Sequence, residues 1–508
     1  MSSGSGPLRR VLVANRGEIA VRVIRGCRER DIETVAVFSE ADRAAPHVWI
    51  ADQAIEIGPA PSRDSYLDVE KILNAAHEAG ADAIHPGYGF LAENAGFAEA
   101  VEDAGLVWIG PPAEAIRAMG EKTAARRTME DAGVPVIPGT VEAIDDAEAA
   151  AREADRIGFP VLLKAAAGGG GKGMRVVRAP ADLARGFRAA SSEAESAFGD
   201  PSVYLERYLA EARHVEIQVI ADSHGSTLHL GERECSLQRR HQKILEECPA
   251  PGVSQETRRR MGQVAVQAAE AVGYVGAGTV EFLLTPEREF YFLEMNTRLQ
   301  VEHPVTEMVT GVDLVHLQLA IAGGESLPFE QADVEWDGHA VECRIAAEDA
   351  ENGFLPATGR IERYREPGGP GVRFDSGVTT GVTVSPHYDP LLAKCVAAGA
   401  TREQALDRMA RALAETTIGG VTTNLGFQRA LVDHPALREG ALHTAWLEAN
   451  AAEIVERIHE RRRRTAPLAA ALAAWRARVG GRSGATRRSE TARERSGWRD
   501  EPRWVWYR

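Results

Sequence analysis

Between Phe292 and Pro304 the sequence reads Phe-Leu-Glu-Met-Asn-Thr-Arg-Leu-Gln-Val-Glu-His-Pro, with a polar side chain at every even position from Glu294 to Glu302. Alternate residues of an extended chain share a face. Glu294, Asn296, Arg298, Gln300 and Glu302 would therefore line one surface as far as the extended conformation persists, with Met295, Leu299 and Val301 pointing the other way. Two carboxylates, two amides and a guanidinium on one face suit a magnesium-nucleotide site beside an oxyanion site. Magnesium takes a few carboxylate or amide oxygens plus substrate phosphate, and arginine grips oxyanions through a planar fork. Alternating charge is ordinarily a solvated strand face. The interleaved Asn and Gln, the proline after His303 and a further acid at Glu281 argue for the site instead. Glu281 lies in the strand-like run Gly276–Leu284, one hairpin before Glu294, and adjacent antiparallel strands would bring the two carboxylates onto one cation.

Three other segments carry candidate chemistry. Lys164-Ala-Ala-Ala-Gly168-Gly-Gly-Gly171-Lys172-Gly173 places five glycines after the strand candidate Pro160–Lys164, where backbone amides can approach phosphate oxygens. A linker can have the same composition, but Met174–Val177 resumes an apolar run at once, as in a hairpin, and no Walker A pattern is present. The run from Gln238 through Arg239, Arg240 and His241 to Lys243 concentrates cationic donors that suit polyphosphate, or equally a solvated basic turn. His214, taken alone, is more often a core or surface histidine than a ligand.

The elements that must position these groups are read from periodicity. Residues 10 to 115 alternate apolar runs (Arg10–Ala14, Thr34–Phe38, Ala83–His85) with helical stretches, one of them through Val23, which predicts an open α/β sheet. Its first turn, Ala14-Asn-Arg-Gly17-Glu, has one glycine where a dinucleotide fold needs three, so dinucleotide binding is disfavoured. Strand candidates His214–Ile220 and Phe290–Glu294 fall in a mixed second region, and His339–Ile345 opens a third that closes with a helix before Gly419. After Asn450 the composition turns Arg- and Ala-rich, with a helical pattern to about Val479 and an aromatic end.

Composition excludes several classes. The 508 residues, 44% hydrophobic and 26% charged, describe a globular chain of about three domains. No run approaches the ~20 apolar residues of a membrane span and no signal h-region is seen, so the expected location is the cytoplasm. The five cysteines are scattered, which predicts buried thiols rather than a disulfide or zinc framework. A net charge of −15 argues against nucleic acid, although residues 461–508 hold 14 Arg against 4 acids.

Taken together the segments resemble the biotin carboxylase family of ATP-grasp enzymes over about residues 9 to 445. The matching strings are Ala14-Asn-Arg-Gly-Glu-Ile-Ala20, His85-Pro-Gly-Tyr-Gly-Phe-Leu-Ala-Glu-Asn94, the glycine loop, Gln238–Lys243, Glu294–Pro304, Glu342-Cys-Arg-Ile345 and Tyr388-Asp-Pro-Leu-Leu-Ala-Lys394. The resemblance implies an α/β and α+β chain: an open α/β pre-ATP-grasp domain at 9–117, an ATP-grasp domain at 118–325, a mixed β-rich biotin carboxylase C-terminal domain at 336–445, and an Arg/Ala-rich tail at 450–508. It implies that Lys122 and Lys164 contact ATP phosphates with Gly170 and Gly171 closing over them. Glu206, Arg207, Tyr208 and Leu209 would form the adenine-side hinge, with His214, Gln238 and His241 also at the nucleotide. Glu281, Glu294 and Asn296 would hold magnesium, or manganese in its place. Lys243, Arg298, Gln300 and the Val301 backbone would bind bicarbonate, Glu302 would take its proton, and Arg344 would stabilise charge on the biotin ureido oxygen.

The same resemblance implies partners. None of the eight methionines precedes a lysine, so no biotinylation motif of the Met-Lys type is present, and biotin would arrive on a separate carrier protein serving a carboxyltransferase subunit. A homodimer or larger complex is expected, with no membrane role. The sequence departs from the family at Ala346, where Asn is usual, and at Ala167, where the loop usually has Gly. A different ATP-grasp ligase and a non-catalytic scaffold subunit are the competing readings; Arg298, Glu302 and Arg344 argue against the first, and the complete set of magnesium, base and anion residues against the second.

Overall fold

The computed structural model describes residues 6–140, 143–144, 146–165, 174–240 and 242–483. Met1–Val455 forms one compact unit and Glu456–Arg508 another. Of the expected site residues, Gly170, Gly171 and His241 lie outside the described ones. Lys122 opens the helix Lys122–Asp131, but its side chain is also outside them.

The amino-terminal sheet has five parallel strands, β1 (Arg10–Val13), β2 (Glu33–Ser39), β3 (Gln53–Gly58), β4 (Ala83–His85) and β5 (Val107–Trp108), in the order β3-β2-β1-β4-β5. Strands covered on both faces read as unbroken apolar runs, and Val11, Leu12, Val13, Val35, Ala36 and Val37 are indeed fully buried. Helix α1 (Gly17–Glu29) continues one and a half turns past the Val23 expected from sequence. Its entry requires a left-handed residue, supplied by Gly17 at φ +67°. The Asn15 amide ties this entry to the next crossover, donating to the Pro86 and Tyr88 carbonyls at 2.7 Å each.

A small antiparallel sheet follows, in the order β7-β6-β8, from β6 (Val161–Ala165), β7 (Arg175–Val177) and β8 (Val203–Arg207). Its β6 and β7 are the two arms of the hairpin expected around the glycine loop, with Val161 opposite Val177 and Leu163 opposite Arg175.

The largest sheet has eight strands, every pairing antiparallel. Six of them are β9 (Arg213–Ala221), β10 (Thr227–Arg239), β11 (Gln242–Cys248), β12 (Gly276–Leu284), β13 (Phe290–Asn296) and β14 (His339–Ala346). They run in the order β13-β12-β9-β10-β11-β14, and the strands Leu391–Gly399 and then Val372–Ser376 complete the edge. This sheet runs straight across the sequence boundary between 325 and 336. Strand β11 would otherwise present an unpaired edge. Instead it pairs with β14, setting Glu246 opposite Glu342 and Leu245 opposite Cys343.

Helix Arg402–Glu415 covers the carboxyl-terminal strands and ends before Gly419, as expected. The helix Trp446–Ser483 contains Pro467. All five cysteines are buried free thiols. Among the described residues no single helix is long and apolar enough to cross a membrane.

Candidate active site

Three neighbouring strands put carboxylates in one row. Glu216 on β9 is in register with Glu281 on β12, which is in register with Glu294 on β13. Like charges directly opposite across strands repel. The repulsion is answered by Lys243 of β11, whose ammonium lies 2.5 Å from Glu216 Oε2, 2.9 Å from Glu281 Oε1 and 2.6 Å from Glu302 Oε1. An ammonium has three N–H donors, and here each has its own carboxylate. Burial disfavours the charge on Lys243, but these acids together with Cys235 raise its pKa well above the ordinary lysine value.

Glu302 is fully buried and shared between two cations, since its Oε2 lies 2.8 Å from Arg344 Nη2. Burial would raise its pKa; Lys243, Arg344 and Arg233 overcome this and hold it well below the usual carboxylate range. Arg344, on β14, also reaches Glu246 Oε1 through Nε at 2.6 Å and Nη2 at 2.5 Å. Glu246 pays the cost of burial beside other acids: desolvation outweighs the attraction of Arg344 and lifts its pKa to about 7.

The alternation that suggested the site is only half realised as a strand. Extended structure ends at Asn296, and Glu302 caps the helix His303–Thr310. Arg298, Gln300 and Glu302 therefore stand on a loop, and Val301, expected to point away, lines the same cleft as they do. The loop must leave the strand because Pro304 begins a helix, where its missing N–H costs nothing. The group stays together through hydrogen bonds: Arg298 donates to Asn296 Oδ1 at 2.8 Å and Gln300 Oε1 at 2.9 Å, and Gln300 donates to Glu281 Oε1 at 3.2 Å. Arg298 is further held by Glu93 at 2.8 Å.

On the other side of the cleft Lys164 of β6 meets Glu206 of β8 at 2.5 Å, and Arg126 takes the second oxygen of Glu206 at 3.1 Å. Burial alone would lower the Lys164 pKa, but Glu206 raises it. The hinge Arg207, Tyr208 and Leu209 lines the cleft, with its backbone anchored by Arg207 N to Pro138 O and Tyr208 N to Pro160 O. His214 lies 3.1 Å from Glu281 and within 3.2 Å of Gln238. Burial would keep His214 neutral, but Glu281 raises its pKa. The cleft, about 970 Å³, is lined by Lys164 and by Lys243, Glu302 and Arg344.

As oxygen donors for a divalent cation, Glu281, Glu294 and Asn296 form a fitting set, two carboxylates and an amide on adjacent strands. The Asn296 Oδ1 that would serve as the ligand atom accepts from Arg298 Nη2 at 2.8 Å, while its Nδ2, a donor, is buried without a hydrogen-bond partner.

Family models match residues 7–116 (biotin carboxylase, N-terminal domain), 121–330 (carbamoyl-phosphate synthase L chain, ATP binding domain) and 342–449 (biotin carboxylase C-terminal domain). Biotin carboxylase 1 of Bacillus subtilis is 53% identical over 442 residues, covering 87% of this chain and 98% of that one. The methylcrotonoyl-CoA carboxylase alpha subunit of Glycine max is 50% identical over 480 residues, 92% of this chain and 66% of the relative. Among solved structures, the biotin carboxylase domain dimer of Hydrogenobacter thermophilus 2-oxoglutarate carboxylase, in complex with MgADP, ADP and bicarbonate, has a TM-score of 0.83. It is 46% identical over 88% of this chain and 99% of that one.

The chain belongs to the biotin carboxylase family. As such it is an ATP-dependent ligase that carboxylates biotin. Against that background, the residues that sequence reasoning did not single out are those that hold the site's side chains in place, most of them buried and Glu93 exposed. Glu216 was legible, since His214, Glu216 and Gln218 alternate with apolar residues along β9, but the alternation was not used. Arg233, which clamps Glu216 at 2.5 Å and is fully buried, gives no such signal. Glu93, Arg126 and Glu246 come from distant segments, and their spacing from the residues they hold contains no hint of contact.

Proposed function

We propose that the chain carries out the first half-reaction of an acyl-CoA carboxylase, transferring a carboxyl group from bicarbonate to biotin on a separate carrier protein through carboxyphosphate. The observation that carries this reading is the division of Glu302 between Lys243 and Arg344: a carboxylate base flanked by one cation for an inorganic anion and one for a second substrate.

In this reading Lys243, Arg298, Gln300 and the Val301 backbone bind bicarbonate. An incoming anion competes for Lys243 and brings negative charge beside Glu302, and both effects raise the Glu302 pKa from its depressed value toward that of a useful base. Glu302 takes the bicarbonate proton, and the resulting oxyanion attacks the γ-phosphorus of ATP, with ADP leaving. Carboxyphosphate gives CO2 and phosphate. Arg344 then stabilises the ureido oxygen of biotin as its N–H proton passes to the phosphate released from carboxyphosphate, so that the nitrogen adds to CO2. A guanidinium aimed where charge develops favours the transition state over the ground state.

Lys122, Lys164, Gly170 and Gly171 are assigned to the ATP phosphates, Glu206 to Leu209, His214, Gln238 and His241 to the nucleotide. Glu281, Glu294 and Asn296 would hold magnesium, which when bound neutralises phosphate charge. We take 9–117, 118–325 and 336–445 as the three domains and 450–508 as the start of a linking region. A carrier protein, a carboxyltransferase subunit and a second copy of the chain are the proposed partners, in the cytoplasm.

The test is ADP release by the purified chain with bicarbonate and free biotin varied separately. Release that requires both supports the assignment. ATP hydrolysis indifferent to either would overturn it.

A further inference from the structure

Lys394 belongs to none of the roles above, yet it is fully buried and reaches the anion end of the cleft from behind. It lies on the strand Leu391–Gly399, directly opposite Arg344 of β14. Its ammonium donates to the Val301 carbonyl at 2.8 Å and pairs with Glu18 Oε2 at 3.1 Å, with Asp375 Oδ2 at 4.0 Å. Glu18 comes from the first turn of α1 and accepts a hydrogen bond from the Tyr88 hydroxyl. Two residues facing each other across one rung of the sheet thus hold two consecutive residues of the turn. Lys394 takes the carbonyl of Val301, and Arg344 takes the carboxylate of Glu302.

The remaining carbonyl of the turn is held as well, since the Gln300 oxygen contacts His303 Nδ1 at 2.7 Å. In a trans peptide the C=O and N–H point in opposite directions. Anchoring the Gln300 and Val301 carbonyls therefore turns the N–H groups of Val301 and Glu302 to the opposite side of the turn. Gln300, Val301 and Glu302 all line the cleft. Preoriented backbone donors are effective for oxyanions because they need no reorganisation when the anion arrives.

We propose that Lys394 is a positioning residue for the anion site: held by Glu18, it fixes the Val301 carbonyl and with it the Glu302 N–H, one of the two backbone donors of the turn that receive bicarbonate, the Val301 N–H being set by the His303 contact to the Gln300 carbonyl. A buried lysine with two acidic neighbours would otherwise be a plain structural ion pair, and its loss would then lower stability without favouring one substrate over the other. The proposal rests on the bicarbonate assignment of the preceding section.

The experiment compares Lys394→Met with the unmodified full-length chain in biotin-dependent ADP release, titrating bicarbonate and ATP in turn. The expected result is a rise in the bicarbonate KM of about tenfold, as befits loss of one charge-assisted hydrogen bond, with the ATP KM within about twofold. An unchanged bicarbonate KM, or equal rises for both substrates, would overturn it. If Lys394→Met does not fold, Glu18→Gln decides by the same split. That variant keeps the shape and removes the charge that holds Lys394, and an even effect on both substrates would again count against the proposal. Should the unmodified chain itself show no bicarbonate dependence, the fault lies in the bicarbonate assignment, and the positioning role falls with it.

Discussion

Lys243 and Glu302, 59 residues apart in the chain, meet at 2.6 Å, one on a strand and the other capping a helix. With Lys243 also at Glu216 and Glu281, and Glu302 also at Arg344, the pair is the junction of the ionic network that fills the anion end of the cleft.

Glu302→Gln keeps the shape and removes the base. Lys243 retains Glu216 and Glu281, so the fold should survive. Turnover with saturating bicarbonate and biotin should fall about 10²- to 10⁴-fold, the usual contribution of a positioned base. A purified variant with near-normal turnover would remove Glu302 from this role.

Arg344→Ala should abolish carboxylation of biotin while leaving nucleotide binding within about twofold, because no described contact of Arg344 reaches the nucleotide-side residues Lys164 or Glu206. Carboxybiotin formation and ATP affinity, measured on the same preparation, separate the two effects. Arg344→Lys should not restore activity, since an ammonium cannot reproduce the fork that reaches both Glu246 and Glu302.

Glu216→Gln should cost stability rather than a single catalytic step. It leaves Arg233, fully buried, with neutral hydrogen-bond partners only, Gln218 at 2.7 Å, Thr306 at 2.9 Å and Thr279 at 3.0 Å, and with Glu302 as the nearby charge that does not hydrogen-bond to it. Removing one member of a buried ion pair costs about 3–5 kcal/mol. Denaturant unfolding of the variant would register this, and a loss under about 1 kcal/mol would show the pair to be dispensable.

Glu246 contributes a pH dependence of opposite sign to Glu302. Its folded pKa of about 7 exceeds the unfolded value near 4.5, so the native state holds the proton more tightly between those limits. Stability from this group is fully present below pH 4.5 and lost as pH rises through 7. Glu302, depressed, contributes stability above the ordinary carboxylate range that is lost only on acidification. Relative to Glu246→Gln, the unmodified chain should therefore lose about 3 kcal/mol between pH 4.5 and 7.5. Urea titrations of both proteins across that window would show it, and parallel curves would refute it.

Magnesium withdrawal should stop ADP release, and Glu294→Gln should raise the magnesium concentration needed for half-maximal rate by about tenfold or more. Magnesium relies on a small number of charged oxygens. A magnesium titration of the variant matching that of the unmodified chain would exclude Glu294 from the metal set.

The sequence by itself determined β1, β2, β4, β6, β7, β9, β12, β13 and β14, though not β10 and β11 around the basic run, and most of the residues that line the cleft. Period two in Phe290–Asn296, unbroken apolar runs in β1 and β2, and a glycine run between hairpin arms are local signals, because the side-chain period and backbone freedom are properties of neighbouring residues. The single face through Glu302 required an extended chain that in fact ends at Asn296, and a loop carries Arg298 to Glu302 into the helix that begins at His303 with Pro304 in its first turn. Only the tertiary structure decided what holds those groups. That Arg233 backs Glu216, that Glu246 sits beside Arg344, and that Lys394 grips Val301 from 93 residues away depend on strand order and register. The first follows from the β9–β10 register, the others from closing β11 against β14 and β14 against the strand Leu391–Gly399. Pairing between strands distant in the chain leaves no period in the sequence, so the partners of the buried charges appear only once the sheet is assembled.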